Sequence, residues 1–286
     1  MVASRHVSPE KSTLMLKSDV VGGVKEQAVW WLNSRLEKVQ AGKHDTMEVN
    51  PFMAPLVAAL HGHQGFDELA EFLISGHFAI GHATGFGKLI DEKILPKVFN
   101  TTKLDKAIRA NGILNETCFD NIDHIVKKSS ETVLLSVKAS RWTIQLGQAV
   151  DLNKSFQELL ELREKGKYQF DRILVVTFYG KSEELSDKYR ILRGITTGAS
   201  HNVVDVTKHV TVLAGKDFWS WIGDNDDTQK WVMEGITQAV QVMQKDLQEV
   251  ATSIKNYRAS FTKRYASAIV NGQIDWQIFL SIINGK

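Results

Sequence analysis

The order of four segments between residues 111 and 215 most constrains the fold. Two short runs rich in β-branched residues, 122–127 and 132–138, flank a polar turn and are typical of a β-hairpin. A helical pattern follows over 142–162, and then 172–178 forms an almost uninterrupted apolar run. Such a run indicates a strand buried on both faces in the middle of a sheet. The order strand, strand, helix, strand predicts a mixed α/β sheet core.

Helical periodicity prevails outside this core. Apolar residues recur at helical spacing in four stretches, which are 24–40, 66–74, 89–98 and the chain from 228 onward. Two shorter apolar runs, 189–192 and 209–213, are candidates for additional strands. The glycine-rich stretch 81–89 lacks the spacing of a phosphate-binding loop, so we expect a tight connection between two helices there.

We therefore predict four regions along the chain. The first 20 or so residues are polar and show no periodicity, which favours a loose arm. The full set is an arm at 1–23, a helical region at 24–110, an α/β catalytic core at 111–215, and a helical C-terminal region at 216–286. The last region is a candidate dimerisation surface.

Composition excludes several classes of protein. Cys118 is the single cysteine of the sequence, which excludes an internal disulfide and a multi-cysteine zinc site. No apolar run reaches the roughly 18 residues of a membrane-spanning helix, and the first residues lack the apolar core of a signal peptide. Formal net charge is only +2, so DNA binding would depend on local clusters of Lys and Arg. The expected location is a reducing cytoplasm.

The predicted hairpin brings chemically active residues to one end of the sheet. Asp123 starts its first strand, while Ser136 and Lys138 end the second strand and share a face because they are two residues apart. The turn returns the second strand to the start of the first, so all three side chains are expected to meet. A hard divalent cation such as Mg²⁺ takes oxygen ligands. We predict Asp123, the Val137 carbonyl and Ser136, directly or through water, as those ligands.

Such a site is suited to phosphodiester hydrolysis. The metal acidifies water and neutralises the charge that builds on a phosphate. Lys138 is placed to orient or activate the attacking water and to hold the phosphate. An isolated aspartate at a strand start is also a common turn former, and a lysine at a strand end is often a solvated edge charge.

The pattern of Asp123 followed by Ser136-x-Lys138 resembles the PD-(D/E)XK nuclease motif, in which serine sometimes replaces the second acid. Ile122 stands where the motif usually has proline. Longer segments resemble one group, the type II restriction endonucleases that cut the interrupted palindrome RGGNCCY. These segments are GHATGFGKLIDEKILPKVF, FDNIDHIV, LLSVKASRWTIQLGQAVDLNKSF and DKYRILRGITTGASHNVVD.

The resemblance extends over most of the chain from about Val24 and implies a PD-(D/E)XK fold. It also implies a homodimeric, Mg²⁺-dependent enzyme that makes double-strand breaks with 5′-phosphate ends, in a prokaryotic cell that also contains a cognate DNA methyltransferase. It assigns Asp123 as a metal ligand, Ser136 to the acid position and Lys138 as the motif lysine. Serine leaves the metal one carboxylate short. Glu92 on the preceding helix is the predicted replacement, with Asp91 and Asp120 as alternatives.

Two basic segments are candidates for contact with DNA. Arg141 and Trp142 follow the motif lysine and are expected to open a helix beside the scissile phosphate. In an extended conformation, Lys188 and Arg190 would share one face with Arg193 just beyond, and arginine suits bidentate contact with guanine. Asn202 lies in the small, polar stretch that follows. A palindromic target further implies a two-fold symmetric dimer bound to double-stranded DNA.

Two other functions remain open from the sequence. A PD-(D/E)XK nuclease of DNA repair or recombination would share the hairpin but recognise DNA structure instead of sequence. A catalytically inactive DNA-binding module would be consistent with serine at position 136, and it would bind DNA without cleaving it.

Overall fold

The computed structural model describes residues 15–40, 49–63, 65–110, 112–128, 131–138 and 144–285. The chain forms two compact units. The first combines residues up to Gln27 with Lys88–Thr237, and the second combines Ala28–Gly87 with Gln238–Lys286. This division differs from the predicted regions, which followed chain order, because helical segments on both sides of the α/β core contribute to each unit.

The first unit contains a five-stranded sheet. Its strands are β1 (Thr102–Lys103), β2 (His124–Lys128), β3 (Glu131–Lys138), β4 (Arg172–Thr177) and β5 (Val210–Ala214). They lie in the order β1-β2-β3-β4-β5. The pairs β1–β2 and β2–β3 are antiparallel, whereas β3–β4 and β4–β5 are parallel. The predicted mixed α/β core is thereby confirmed, with the hairpin at its centre.

Helix α6 (Leu146–Glu164) connects β3 to β4 and covers one face of the sheet. Leu134, Phe156 and Ile173 belong to the core between them, and each is fully buried. Burial of one such side chain contributes about 1.5–3 kcal/mol. The interior of β4 is fully buried on both faces, as the apolar run predicted. Reciprocal hydrogen bonds between Gln145 and Gln148 cap the start of α6.

The helical part before the sheet is more continuous than the sequence indicated. The elements are α1 (Lys17–Gln40), α2 (Ala54–Leu60), α3 (Phe66–Leu89), a π-helical segment (Ile90–Ile94), α4 (Leu95–Val98) and α5 (Lys106–Arg109). The predicted helices are present, but the connection expected at 81–89 is wrong because that stretch lies within α3. Gly85 is buried there, and a Cβ would overlap the Arg35 guanidinium, so glycine permits close packing.

The prediction of a loose N-terminal arm at 1–23 is wrong from Lys17 onward. Helix α1 begins at Lys17, and Val20 and Val21 are buried with 0% and 7% exposure. The burial of these valines shows that the start of the helix is packed and is not a loose arm. Residues 1–14 lie outside the described residues.

The segment 189–192, expected as a strand, is helical. Helix α7 spans Lys188–Ile191, and backbone bonds from Arg190 and Ile191 to the Asp187 carbonyl close its turn. Tyr189, Ile191 and Leu192 are buried. Four residues are too few to separate a buried helical turn from a buried strand by periodicity.

The C-terminal part contains α8 (Gly215–Gly223), α9 (Thr228–Arg264), a two-stranded hairpin of β6 (Ile269–Val270) and β7 (Gln273–Ile274), and α10 (Trp276–Asn284). The hairpin was not predicted. Its turn residues Asn271 and Gly272 have φ of 53° and 79°, as a two-residue hairpin turn requires. None of the helices in the described ranges has both the length and the apolar character needed to cross a membrane.

The second unit has its own apolar core. Aromatic side chains from α3, α9 and α10 pack there, and ring centroids of Phe261 and Tyr265 lie 4.7 Å apart. Tyr265 and Phe279 are 4.8 Å apart. Aromatic pairs at these distances contribute about 0.5–1.5 kcal/mol beyond their area burial. This core consists of residues of the second unit alone.

Candidate active site

Asp123 lies directly before β2 and is bonded to β3 through both backbone and side chain. Its N–H donates to the Leu135 carbonyl at 2.8 Å. Its carboxylate Oδ2 accepts a hydrogen bond from the Val137 N–H at 2.6 Å. The N–H and C=O of a strand residue face the same neighbouring strand, so the Val137 carbonyl also faces the side on which Asp123 lies.

Ser136 and Lys138 share one face of β3. The ladder of the hairpin ends at the pair His124 and Leu135, which are the chain neighbours of Asp123 and Ser136. Ser136 is fully buried, and its Oγ has no hydrogen-bond partner among the described residues. Lys138 is half-buried and interacts electrostatically with Asp123. The hairpin therefore brings the Asp123 carboxylate to the end of β3 that contains Ser136 and Lys138.

Burial shifts the ionisation of both charged groups. It raises the pKa of Asp123 above its ordinary value, because it outweighs the attraction of Lys138 and the hydrogen bond from Val137. It lowers the pKa of Lys138, although Asp123 and Asp91 act in the opposite direction. A cation close to Asp123 would favour its ionised form. A lysine with a lowered pKa is also a better proton acceptor near neutral pH.

A second carboxylate reaches this environment from the π-helical segment. The charge of Asp91 acts on the pKa of both Asp123 and Lys138. Its Oδ1 lies 2.8 Å from His124 Nε2, and its Oδ2 accepts a hydrogen bond from Lys103 Nζ. Burial acts to raise the pKa of Asp91, but the hydrogen bonds from His124 and Lys103 hold it below its ordinary value. Asp91 is therefore ionised and fixed in place at neutral pH.

Glu92, the predicted replacement for the motif acid, is exposed. The sequence pattern predicted a regular helix here, and this prediction could not show whether Asp91 or Glu92 faces the hairpin. A π-helical turn contains an extra residue and changes the direction of the side chains around it. The geometry therefore favours Asp91, which was an alternative from the sequence, as the second acid of the site.

Arg109 holds the loop that precedes Asp123. Its guanidinium donates to the carbonyls of Phe119 and Ile122, the latter at 2.6 Å, and its Nε donates to the Leu104 carbonyl at 2.8 Å. Asp120 lies 3.6 Å from the same guanidinium with its side chain 73% exposed. Asp120 is therefore turned to solvent, and the geometry favours Asp123 as the ligand at the start of the hairpin.

The oxygen atoms at this end of the sheet suit a hard divalent cation. Carboxylate oxygens of Asp123 and Asp91, the Ser136 hydroxyl and the Val137 carbonyl are the types of ligand that Mg²⁺ takes. Within the described part of the chain, no three His, Cys, Asp or Glu side chains are grouped to hold a metal, so the hydroxyl and carbonyl would both be needed. A buried hydroxyl without a partner costs about 1–3 kcal/mol. The unpartnered Ser136 Oγ therefore fits a bound cation or a water that the cation orders.

A cavity of about 320 Å³ adjoins the hairpin. Val137 and Lys138 line it together with the polar side chains of Asn121, Gln148 and Asp151. A cavity of this size is large enough to hold several waters. Water thus has access to the Lys138 amine from the side on which α6 begins.

The candidate DNA-binding residues have different surroundings. Arg141 and Trp142 lie outside the described residues. Lys188 forms an ion pair with Asp187 at 2.6 Å, and Arg190 is exposed. Because this segment is helical, Lys188 and Arg190 do not share a face, which corrects the expectation for an extended strand.

The other two candidates lie beyond α7. Arg193 Nε donates to the Val210 carbonyl at 3.0 Å, so part of its guanidinium is used to hold β5. Asn202 is exposed and has a φ of 54°, in the left-handed region that asparagine tolerates. Arg190 and Asn202 are therefore the more accessible side chains of the four in this segment.

Asn153 was not identified from the sequence, yet it ties the segment after α7 to α6. It is fully buried; its Nδ2 donates to the carbonyls of Leu192 and Val204 at 3.1 and 2.8 Å, and its Oδ1 accepts from the Val204 N–H at 2.9 Å. A polar residue among the apolar positions of α6 was the available signal, because buried amides need such partners. Asn153 therefore fixes both ends of the stretch that contains Asn202.

Replacing Asp123 with asparagine is expected to stabilise the metal-free protein at neutral pH. An unfolded aspartate has a pKa of about 3.9, and the folded value is raised. The folded state thus binds its proton more tightly, and wild-type stability falls as pH rises from the unfolded pKa through the folded one. Thermal unfolding in a chelator should give a higher Tm for Asp123→Asn at pH 8 and similar values near pH 3. A lower Tm for the variant at pH 8 would contradict the raised pKa.

No protein-family model matches the chain, and no curated protein matches it significantly. The site combines two carboxylates, a buried hydroxyl, a main-chain carbonyl and a half-buried lysine at one end of a mixed sheet.

Proposed function

We propose that the chain is a Mg²⁺-dependent endodeoxyribonuclease with a PD-(D/E)XK fold, of the type II restriction class. One observation supports this most: the Asp123 carboxylate is hydrogen-bonded to Val137, which lies between Ser136 and Lys138 on the strand that joins the antiparallel and parallel parts of the sheet. Ser136 Oγ is buried there and unpartnered among the described residues. That arrangement supplies oxygen ligands and a cation side by side. Cleavage of a phosphodiester needs both, because negative charge increases on the phosphate as water attacks.

In this proposal Asp123, Asp91, Ser136 and the Val137 carbonyl hold the cation. Bound there, Mg²⁺ would supply positive charge for the phosphate and acidify water. Lys138, as an ammonium, holds the attacking water beside the phosphate, and the proton of that water passes to solvent. The water oxygen bonds to phosphorus as the bond to the 3′ oxygen breaks, and that oxygen takes a proton from solvent, which leaves a 5′-phosphate and a 3′-hydroxyl.

The specificity proposed is RGGNCCY or a subset of it, in which R is a purine, Y a pyrimidine and N any base. It rests on the resemblance of the four segments and on no base contact. A palindrome is matched by a two-fold symmetric protein, so we propose a homodimer in which each subunit cuts one strand. A DNA methyltransferase of matching specificity would protect the host. The proposed location is the cytoplasm of a prokaryotic cell.

Cleavage of a long duplex tests this function directly. We expect the purified chain with Mg²⁺ to give discrete fragments whose sequenced ends lie at RGGNCCY, and a chelator to abolish cutting. A duplex with every RGGNCCY site altered at one G·C pair is the matched substrate control. One mismatched base pair in a recognition site typically costs about 1–3 kcal/mol, so the altered sites should be cut far more slowly.

Other outcomes identify the competing functions. Discrete ends at a different sequence would refute the specificity while keeping the restriction class. Cutting confined to ends, flaps or junctions would indicate the repair or recombination nuclease. Binding of the duplex without cleavage at any Mg²⁺ or Mn²⁺ concentration would indicate the inactive DNA-binding module.

A further inference from the structure

A fully buried histidine links the π-helical segment to the sheet. His124 follows Asp123 in the chain and has 0% exposure. Its Nε2 lies 2.8 Å from Asp91 Oδ1, and its Nδ1 lies 2.9 Å from Thr101 Oγ1. Thr101 is itself buried, in the loop before β1. The ring therefore connects three separate parts of the chain.

The direction of these hydrogen bonds follows from Asp91. Its carboxylate has no hydrogen to donate and can only accept. His124 Nε2 must then carry the hydrogen and donate it to Oδ1. Lys103 Nζ donates to Oδ2. Both oxygens of Asp91 are thus fixed, and each keeps a further lone pair with which it can bind a cation or an ordered water.

We propose that His124 is a positioning residue, which orients the Asp91 carboxylate through the chain Thr101–His124–Asp91 so that Asp91 and Asp123 bind one divalent cation together. This rests on the proposed function. Asp91 lies on a helix and Asp123 on the hairpin, so their relative position depends on contacts between the two elements. His124 provides such a contact directly, because it is hydrogen-bonded to Asp91 and follows Asp123 in the chain.

Two substitutions separate this role from simple packing. Glutamine places an amide nitrogen near the position of histidine Nε2, whereas asparagine places one near Nδ1. His124→Gln therefore keeps the donor to Asp91, and His124→Asn keeps only the side that faces Thr101. Removing a residue that orients a metal ligand typically costs 10- to 100-fold in metal affinity or activity.

Mn²⁺ is the probe, since it binds the same oxygen ligands as Mg²⁺ and its free and bound forms differ in electron paramagnetic resonance. We expect His124→Asn to weaken Mn²⁺ binding by about 10- to 100-fold. We expect His124→Gln to stay within about threefold of the wild type, although both variants lose the imidazole from the core. Rates of duplex cleavage at limiting Mg²⁺ should follow the same order.

Thr101→Val provides a second test if His124→Asn does not fold, as judged by thermal unfolding. It removes the hydroxyl that holds Nδ1 but keeps the ring, and we expect Mn²⁺ affinity to fall by about threefold to tenfold. Unchanged affinity in this folded variant would overturn the positioning role.

The outcomes distinguish the inference from the function on which it rests. Equal Mn²⁺ affinity in His124→Asn and the wild type, or equal losses in the asparagine and glutamine variants, would overturn the positioning role while wild-type cleavage still supports the nuclease. Wild-type Mn²⁺ binding without DNA cleavage would refute the nuclease, and the order of the variants would still decide the role of His124. No Mn²⁺ binding by the wild type would overturn both.

Discussion

Replacing Lys138 with alanine is expected to lower the rate of DNA cleavage by about 10²- to 10⁴-fold, the usual contribution of a positioned group that transfers a proton or stabilises charge. The loss should appear in the rate of the chemical step, measured in single-turnover reactions with enzyme in excess over duplex. Binding of the same duplex in Ca²⁺ should change little, because one phosphate contact among many is removed. The folded protein should tolerate the change, because it removes a half-buried amine whose charged form is disfavoured by burial, as its lowered pKa shows.

The matched control for Lys138→Ala is Lys127→Ala. Lys127 lies on the same hairpin and is exposed, so its replacement removes the same charge at a distance from the site. We expect single-turnover cleavage by that variant to stay within about threefold of the wild type. Equal rates for Lys138→Ala and the wild type would refute the proposed centre.

The second large effect concerns the two neighbouring acids of the π-helical segment. Asp91→Asn is expected to reduce cleavage by about 10²-fold or more, because it removes one of two carboxylates proposed to hold the cation. Glu92→Gln should reduce it by less than about threefold, since Glu92 is exposed. Both variants lose one negative charge from adjacent positions, so a difference between them cannot come from the loss of charge alone.

Cleavage by both acid variants should be measured over a range of Mg²⁺ concentrations, with thermal unfolding to confirm that each is folded. Higher Mg²⁺ should partly restore Asp91→Asn if the defect lies in metal affinity. A large loss in Glu92→Gln with little loss in Asp91→Asn would reverse the assignment. Glu92 would then be the second acid of the site, as the sequence pattern favoured.

Much of the sheet was predictable because its strands have strong local signals. The interior of β4 is buried on both faces, and a run such as Ile173–Val176 is typical only of that position. The hairpin of β2 and β3 followed from two β-branched runs around a polar turn. Alternation along a strand then predicted that Ser136 and Lys138 share a face, at the end of the hairpin where Asp123 lies.

The remaining features depend on contacts that local patterns do not report. Asn271 and Gly272 form a standard hairpin turn signal, but the signal was missed inside a stretch with helical periodicity. Helix α7 is a single turn whose conformation is set by burial of Tyr189 and Ile191. Asn153 functions through partners 39 and 51 residues away. Contacts between residues so far apart in the chain cannot be inferred from the spacing within one segment.

The π-helical segment has a consequence for how such a site can change between generations. A π-helical turn contains one residue more than the α-helical turn it interrupts. Loss of one codon within Ile90–Ile94 would restore a regular helix and rotate the preceding residues by about 100° relative to the sheet. Under the proposed function, the extra residue of the π-helical turn would let the helix supply the carboxylate that the hairpin lacks at Ser136.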